Sequence, residues 1–361
     1  MASPPDPTGD PDHGHDPDHL DLDLERLAAG FTAWLRATGH HGPDARVARL
    51  ERPAAGHASN TFLADLTDRA DGADLRVVLR LPPAQPAHLG DKLELQVVVQ
   101  ELLARHGIPA PSPASYEPDD TWVGAPFVTM PCVAGHVAGE VAALDPWITG
   151  STPDQQATLY GTFTDTVTAV HRLDWSATGV DRWLRGAGHT LDDDVAYWGH
   201  YLDWATDGRR PGRLDDVLSW LQGHRPTEEP PRSLLWGDVR LGNAIFSDDR
   251  RLRAVIDWET AWIGPAEADL GYWLVLEALV DELLGERIEG FPSPAQTWQR
   301  CEEQLGRRLL DRTWFEVLGA VSAACLTIRL SVLRHGRPPP DAVLDRNPVL
   351  ALIDRLTATA G

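Results

Sequence analysis

The chain has 361 residues and a formal net charge of −22. A chain of this length can bury two substantial cores, and its acidity argues against a nucleic-acid partner, because a phosphate backbone is bound by a basic surface. Its three cysteines, Cys132, Cys301 and Cys325, are widely spaced, which indicates neither a disulfide framework nor a zinc pattern and suits a reducing cytoplasm.

Residues 1–20 predict a disordered tail. Pro, Asp, Gly and His dominate this stretch, which therefore buries too little apolar surface to offset the entropy of ordering. It also lacks the basic and then apolar pattern of a secretory signal. The uncharged, apolar stretch 317–328 is too short to span a bilayer and predicts a buried helix. We therefore expect a cytoplasmic protein that does not enter a membrane.

The N-terminal third predicts a small sheet. Strand-like runs occupy 47–50, 61–66 and 75–81, and the segment 116–130 has the pattern of a hairpin. The first two runs flank a turn of small residues with the sequence AGHASN. Small residues let backbone N–H groups approach phosphate oxygens, and the Ser59 hydroxyl can add a donor. An ordinary hairpin loop has the same composition, so both interpretations stand at this point.

Most of the remaining chain predicts helices. A helix over 93–103 follows from the spacing of its Leu and Val residues. Further helices are predicted at 153–175, 193–205, 214–221, 281–288, 294–309 and 313–335. Six aromatic residues of this part either line an apolar cleft or fill the core. They are Trp183, Tyr197, Trp198, Tyr201, Trp204 and Trp220.

The most informative segment is WGDVRLGNAIFSDDRRLRAVIDW, from Trp236 to Trp258. Its Asp238 and Asn243 have the spacing D-x-x-x-x-N of the catalytic loop of protein kinases, and Arg240 lies between them. Phosphoryl transfer requires a carboxylate that receives the hydroxyl proton, oxygen ligands for magnesium, and a positive charge for the moving group. The segment therefore predicts Asp238 as the base and Arg240 as that positive charge.

Two short apolar runs in this segment, 244–246 and 252–256, predict a hairpin with a polar turn. The hairpin would carry Asn243 at the start of one strand and Asp257 at the end of its partner, so that both lie at the same edge. Magnesium prefers hard oxygen ligands and completes its shell with water and phosphate, so two protein ligands suffice. A surface hairpin with Asp and Asn as turn formers is the alternative.

The stretches WGDVRLGN and VIDWETAWIGPAEADLGYW resemble the aminoglycoside phosphotransferase-like family of small-molecule kinases, whose pattern is H-G-D-x-x-x-x-N, then I-D-W-E and a D-L pair. The resemblance implies an α+β, bilobal protein-kinase-like fold, with a small antiparallel-sheet N-lobe and a larger helical C-lobe. It implies Asp238 as catalytic base and Asp269 as a carboxylate that braces the catalytic loop. Asn243 and Asp257 are then the magnesium ligands. Trp236 departs from the pattern, since the family usually has histidine there.

The same resemblance implies a nucleotide site in the N-lobe. Gly56, Ser59 and Asn60 resemble the family's phosphate loop. The backbone of Met130 and Cys132, at the expected hinge between the lobes, would pair with the purine of ATP or GTP. The expected domains are a tail at 1–20, an N-lobe at 21–130, a hinge at 131–134 and a C-lobe at 135–361.

Arg80 stands on the strand where the family usually carries a lysine that reaches the nucleotide phosphates. A guanidinium can grip phosphate bidentately, although its geometry differs from that of an ammonium group. A solvated arginine on an edge strand is the alternative. The partner of Arg80 on the following helix stays open among Glu94, Gln96 and Glu101.

The stretches VVLRLPP, YWGHYLDW and FPSPAQTWQRCEEQLGR resemble the branch of the family whose kinase domains are fused to acyl-CoA dehydrogenases. We therefore expect a magnesium-dependent kinase, a monomer or homodimer, that moves the γ-phosphoryl group of ATP or GTP to a hydroxyl of a hydroxyacyl-type metabolite. The acceptor should have an apolar body rather than several ammonium groups, which would need buried carboxylate partners.

Two alternatives remain. One is an aminoglycoside or macrolide kinase. The other is a non-catalytic nucleotide-binding module, against which the joint presence of Asp238, Asn243 and Asp257 counts.

Overall fold

The structure, a computed structural model, describes residues 23–53, 60–68, 72, 75–90, 92–139, 141–210, 212–340, 343 and 346–358. The predicted tail at 1–20 and the predicted phosphate-loop residues Gly56 and Ser59 lie outside these ranges. The N-terminal part of the described chain forms an antiparallel sheet with two helices, and the rest forms helices around two smaller sheets.

The N-terminal sheet has the strand order β1-β2-β3-β5-β4, and its strand pairs are antiparallel. The strands are β1 Arg46–Glu51, β2 Asn60–Thr67, β3 Leu75–Leu81, β4 Ser115–Glu117 and β5 Phe127–Pro131. Side chains of β2 alternate between buried and partly buried positions, as the two-residue period of a strand requires. The predicted strands and the predicted hairpin at 116–130 are thus confirmed. Because β3 is paired on both sides, Arg80 lies on an inner strand and not on an edge strand.

Helix α1 (Leu24–Thr38) is absent from the predicted elements. The Asp23 carboxylate caps its first turn by accepting from two backbone N–H groups. Phe31 and Trp34 are buried against the sheet, in an apolar cluster that is separate from the larger core. The Trp34 indole Nε1–H donates to Glu117 Oε2 at 2.7 Å, so this helix is fixed to strand β4 as well as to the sheet face.

Helix α2 (Leu93–Arg105) follows β3, as predicted, and packs into the larger core with the C-terminal helices. The loop between β3 and α2 is also held by that part of the molecule. The Tyr201 hydroxyl donates to the Ala87 carbonyl at 2.5 Å, and the Arg329 guanidinium donates to the Pro86 carbonyl at 2.8 and 3.1 Å. The N-terminal sheet is therefore tied to the C-terminal helices by backbone carbonyls of this loop.

The rest of the described chain is mainly helical, as predicted. Its helices are α3 Pro146–Thr149, α4 Pro153–His171, α5 Leu191–Ala205, α6 Gly212–Gly223, α7 Ala266–Leu284, α8 Pro294–Leu305, α9 Arg312–His335 and α10 Pro348–Ala358. Its strands are β6 His136–Val137, β7 Arg232–Leu235, β8 Ala244–Phe246, β9 Leu252–Val255 and β10 Trp262–Pro265. β6, β8 and β9 form one small antiparallel sheet, and β7 pairs with β10 in the other.

Three predicted helices have the wrong boundaries. The one predicted at 294–309 ends at Leu305, because Gly306, with φ of 66°, ends α8. The separate helix predicted at 281–288 does not form, since 281–284 is the last turn of α7 and Gly285, with φ of 76°, ends that helix. No proline or glycine pair interrupts the chain between Ala266 and Leu284 to start a new helix. Helix α4 ends at His171 rather than at Trp175, and a short 3₁₀ turn follows it.

Helices α7 and α9 cross at close range in the centre of the larger core. A Cβ atom on Gly319 would lie 2.5 Å from the Tyr272 backbone nitrogen, and one on Gly271 would overlap the Phe315 carbonyl. By length and hydropathy α9 is apolar enough to cross a membrane, but 67% of its most apolar window is buried inside the protein. The predicted buried helix over 317–328 is therefore confirmed as a core helix.

We predict that Gly271→Ala lowers the free energy of unfolding by about 1–3 kcal/mol, because the added methyl forces α7 away from the Phe315 carbonyl. Gly161→Ala is the matched control. It also changes a helical glycine, but the nearest atom to its new Cβ would be Arg300 Nη2 at 3.6 Å, so helix propensity should make it neutral or stabilising by up to about 1 kcal/mol. Urea unfolding of both variants measures the difference, and equal stabilities would contradict the close crossing.

Candidate active site

The loop that follows β7 is held by one buried carboxylate. Asp269 Oδ2 accepts from the Trp236 N–H, and its Oδ1 accepts from the Gly237 N–H, both at 2.9 Å. His171 Nε2, on helix α4, lies 2.9 Å from the same Oδ2. Gly237 has φ of 85°, and a Cβ atom there would overlap the Thr260 carbonyl, so only glycine fits the turn. Asp269 thus braces the loop, as the family resemblance implies.

Trp236, which stands where the family usually has histidine, ties two loops together. Its indole Nε1–H donates to the carbonyls of Ile256 and Asp257 at 2.9 and 3.1 Å. Its ring also stacks on Trp258, with ring centroids 5.2 Å apart. The indole therefore fixes the position of the loop around Asp238 relative to the chain at Asp257, and the departure from the family pattern has a structural role.

Both carboxylate oxygens of Asp238 accept hydrogen bonds. The Tyr272 hydroxyl donates to Oδ1 at 2.9 Å, while Arg240 Nε and Asn243 Nδ2 donate to Oδ2 at 3.0 and 2.7 Å. Burial and the negative charge of Asp238 raise the pKa of Tyr272 well above its usual value, so the phenol keeps its proton as a donor. The carboxylate is therefore held in one orientation by three donors from the loop and from α7.

The structure brings Asn243 and Asp257 to the same end of the β8–β9 hairpin. The Ile256 N–H donates to the Asn243 carbonyl at 2.9 Å, which continues the strand pairing by one step. Because the Asn243 amide nitrogen points to Asp238, its amide oxygen lies on the other side of the group. Burial would raise the pKa of Asp257, but the nearby Arg80 outweighs it and lowers that pKa below its usual value.

An amide oxygen and a carboxylate fit a magnesium site in donor chemistry and in number, since magnesium takes the rest of its shell from water and phosphate. Within the described ranges, no three His, Cys, Asp or Glu side chains form a metal-binding group. A metal at the hairpin would therefore depend on these two protein ligands and on a bound phosphate.

Arg80 is almost fully buried and bridges the sheet to the segment after β9. Its Nη1 donates to Gln96 Oε1 and to Asp257 Oδ1, each at 2.9 Å, and its Nη2 donates to Glu259 Oε2 at 2.6 Å. The partner on α2 is thus Gln96, whereas Glu101 accepts from Ser112 and Ala114. A solvated arginine is excluded. The two acidic partners of Arg80, Asp257 and Glu259, lie in the segment after β9 and not in the N-terminal sheet.

The other described residues predicted to bind nucleotide are held by contacts within the sheet, with the loop after β3 and with helix α2. Asn60 is buried and its Nδ2 donates to the Pro82 carbonyl at 3.1 Å. Met130 Sδ accepts from Gln100 Nε2 at 3.6 Å. The Cys132 N–H donates to the Arg76 carbonyl at 3.0 Å, so a purine contact by Cys132 would have to use its carbonyl group.

Two cavities meet at Asp238 and Tyr272. We call the first, of about 360 Å³, the aromatic cavity, and the second, of about 440 Å³, the aliphatic cavity. Aromatic residues of the first are Trp183, Tyr197, Trp198, Tyr201 and Trp262, and apolar residues of the second include Leu276, Leu279, Val280, Ile288, Phe291 and Leu330. Four of the six predicted aromatic residues therefore line a cavity, whereas Trp204 and Trp220 pack against the core.

Three residues of the site have no predicted role. Tyr272 lies three residues after Asp269 on α7, and this helical spacing places both on one face. Glu259 belongs to the IDWE stretch. His171 ends a helix about 100 positions away in the chain, so no local pattern indicates its contact with Asp269.

The chain is similar to a known protein family and to curated proteins. A family model described as phosphotransferase enzyme family matches residues 49–303. The chain is 26% identical over 263 residues to acyl-CoA dehydrogenase family member 11 of Rattus norvegicus, which covers 73% of this chain and 31% of that protein. The chain thus spans about a third of the length of the curated relatives it matches.

Solved structures share the fold. A protein of Ralstonia eutropha JMP134, provisionally described as an aminoglycoside phosphotransferase, has a TM-score of 0.71 at 20% identity, covering 94% of this chain and 99% of that one. A thermostable mutant of aminoglycoside phosphotransferase APH(4)-Ia, in a ternary complex with AMP-PNP and hygromycin B, has a TM-score of 0.57 at 15% identity, covering 92% and 98%. The predicted α+β, bilobal kinase-like fold is confirmed.

We predict that Trp236→Phe lowers the free energy of unfolding by about 1–2 kcal/mol more than Trp258→Phe does, because two buried carbonyls lose their donor. Both rings are buried and stacked on each other, so the two changes leave similar voids. The Trp258 indole makes only a 3.4 Å contact with the Val255 carbonyl. Chemical denaturation measures both variants, and equal losses would show that the tether between the loops contributes nothing.

Proposed function

This chain belongs to the phosphotransferase enzyme family, and we propose that it transfers the γ-phosphoryl group of ATP, or of GTP, to a hydroxyl of a small molecule with magnesium as cofactor. The observation that carries the proposal is the Asp238 carboxylate, which three donors hold at the junction of two cavities. Asn243 donates to this carboxylate, and Asp257 lies at the same end of the β8–β9 hairpin as Asn243.

Asp238 would receive the proton of the acceptor hydroxyl. A base must be aimed at the proton that it removes, and the donors Tyr272, Arg240 and Asn243 fix its orientation. Arg240 also places a positive charge beside the base, where negative charge develops on the transferred group. The hydroxyl would approach from either cavity, since Asp238 lines both.

The nucleotide would lie along the N-terminal sheet. Pro131, at the proposed hinge, pairs with Val77, and Asn60 pairs with Leu81 at the other end of β3. Val77 and Arg80 are three residues apart, which is about 10 Å along a strand, so the purine and the phosphates have separate positions. Met130 and Cys132 would contact the purine.

At the phosphate end we propose contacts from the predicted loop and from β3. Gly56, Ser59 and Asn60 would surround the phosphates with backbone and hydroxyl donors, and Arg80 would add its charge. The ion pair between Arg80 and Asp257 supports this proposal, because the proposed phosphate-binding cation and the proposed metal-binding carboxylate are in contact.

Asn243 and Asp257 would hold the magnesium ion. When bound, the ion neutralises charge on the phosphates. Asp257 is prepared for this task because its pKa lies below the usual value, so it is ionised whenever the nucleotide is. The indole of Trp236 keeps this position fixed relative to Asp238.

The acceptor would be a hydroxyacyl-type metabolite. The names of the curated relatives suggest this class, and the walls of both cavities support it, because aromatic and aliphatic side chains suit an acyl chain. A nucleotide-consumption screen across hydroxy acids, hydroxyacyl thioesters, aminoglycosides and macrolides, with mass analysis of the products, tests the proposal. Transfer to aminoglycosides alone would replace it with the antibiotic-kinase alternative, and no transfer at all would favour a binding module.

We predict that Asp238→Asn lowers turnover by ~10²–10⁴-fold, because the amide cannot take the hydroxyl proton. Nucleotide affinity should change little, since Asp238 faces the acceptor side. Steady-state kinetics and calorimetry measure the two quantities, and Asp248→Asn, an exposed acid in the turn of the same hairpin, is the control. Near-normal turnover in a folded variant would eliminate Asp238 as the base.

We predict that Asp257→Ala removes most of the magnesium dependence of nucleotide binding, because one of two protein ligands is lost. Metal-free binding should change less. Titration calorimetry with and without magnesium measures both, and Asp249→Ala in the same exposed turn is the control. If the variant keeps the magnesium dependence of the original protein, Asp257 is not a ligand.

A further inference from the structure

A partly buried arginine lies in the wall of the aromatic cavity. The Arg185 guanidinium is placed between two rings, with its Cζ 3.6 Å from the centroid of Tyr197 and 4.1 Å from that of Trp262. Arg185 and both rings line the cavity that also contains Asp238. The Ile263 N–H donates to the Arg185 carbonyl at 2.9 Å, so backbone and side chain are both fixed.

The charge of Arg185 is only partly balanced by the protein, through the nearby Asp194 carboxylate and Tyr197. Its Nη1 is buried without a hydrogen-bond partner among the residues that the structure describes, and in the same ranges it forms no ion pair. The nearby Asp194 is already engaged by Arg232, with a shortest contact of 2.9 Å. Burial lowers the pKa of Arg185 from its usual value, which reflects the cost of a desolvated cation. A cation kept in this state at a cavity indicates an anionic ligand.

Stacking restricts how that ligand can bind. Because Tyr197 and Trp262 cover the guanidinium, the N–H groups at its planar edge are the ones left for recognition. A planar fork of N–H donors matches the two oxygens of a carboxylate. We propose that Arg185 binds a carboxylate of the acceptor, so that the substrates of this enzyme are hydroxy carboxylates. The proposal rests on the proposed function, because it uses the same acceptor cavity.

Arg185 and Asp238, two of the charged residues that line the cavity, would also orient such an acceptor. Arg185 attracts the carboxylate and the Asp238 carboxylate repels it, so the hydroxyl end is directed toward the base. This polarity is opposite to the one that a polyamine acceptor would need. It is also opposite to the net charge of the chain, −22, and is therefore a property of this cavity and not of the overall composition.

Titration calorimetry without nucleotide tests the proposal. The probes are 6-hydroxyhexanoate and 8-hydroxyoctanoate, each compared with its neutral methyl ester. We expect the original protein to bind each acid about tenfold more tightly than its ester, as a charge-assisted hydrogen-bonded pair provides. Arg185→Gln should remove this preference without changing the affinity for the ester, and Arg185→Lys should keep part of it.

Arg182→Gln is the matched control. Arg182 lines the same cavity but is exposed, and its Nε donates to the Gly179 carbonyl at 3.2 Å, so the acid preference should stay within about twofold of the original. Equal binding of acid and ester by the original protein, no binding of either, or an unchanged preference in Arg185→Gln would overturn the proposal. So would a loss of nucleotide affinity in Arg185→Gln, because the anion would then be a nucleotide phosphate.

The outcome is independent of phosphoryl transfer. Acids that bind through Arg185 but are never phosphorylated would refute the proposed function and leave the anion site in place. Phosphorylation of esters as efficiently as acids would refute the anion site and leave the proposed function in place.

Discussion

The buried carboxylate of Asp269 is the contact on which the arrangement of the site depends. It accepts hydrogen bonds from two successive backbone N–H groups and contacts the imidazole of His171. A buried charge is tolerated only when such partners replace its hydration. These partners come from two separate segments, and they hold a turn that Gly237 alone can adopt. That turn determines the direction in which the Asp238 side chain points.

Helix α7 extends this constraint to the rest of the site. Asp269 and Tyr272, three residues apart, reach the loop backbone and the Asp238 carboxylate, respectively. Gly271, between them, lies against the backbone of α9. The same helix therefore supports the loop, orients the Asp238 carboxylate and packs into the core, and its later residues border the aliphatic cavity. A displacement of α7 would change all of these features together.

The local parts of the site could be predicted from the sequence, and the distant parts could not. The β8–β9 hairpin is encoded by two apolar runs and a turn, so the shared edge of Asn243 and Asp257 follows from strand geometry alone. The partners of Arg80 are different, because Asp257 and Glu259 lie 177 and 179 positions away in the chain. The contact of His171 with Asp269 spans 98 positions, and no periodicity in the sequence predicts it.

The ties between the β3–α2 loop and the C-terminal helices connect the aromatic cavity to the strand that carries Arg80. Tyr201 lines the aromatic cavity and donates to Ala87, seven residues after Arg80 in the chain. Any movement of Tyr201 must either carry that carbonyl along or break the hydrogen bond. Free-energy linkage is reciprocal, so if a ligand in the cavity changes the affinity for a ligand at the proposed nucleotide site, the second ligand changes the affinity for the first by the same factor. The two orders of binding can then have different rates, but the factor by which each ligand changes the affinity for the other is the same.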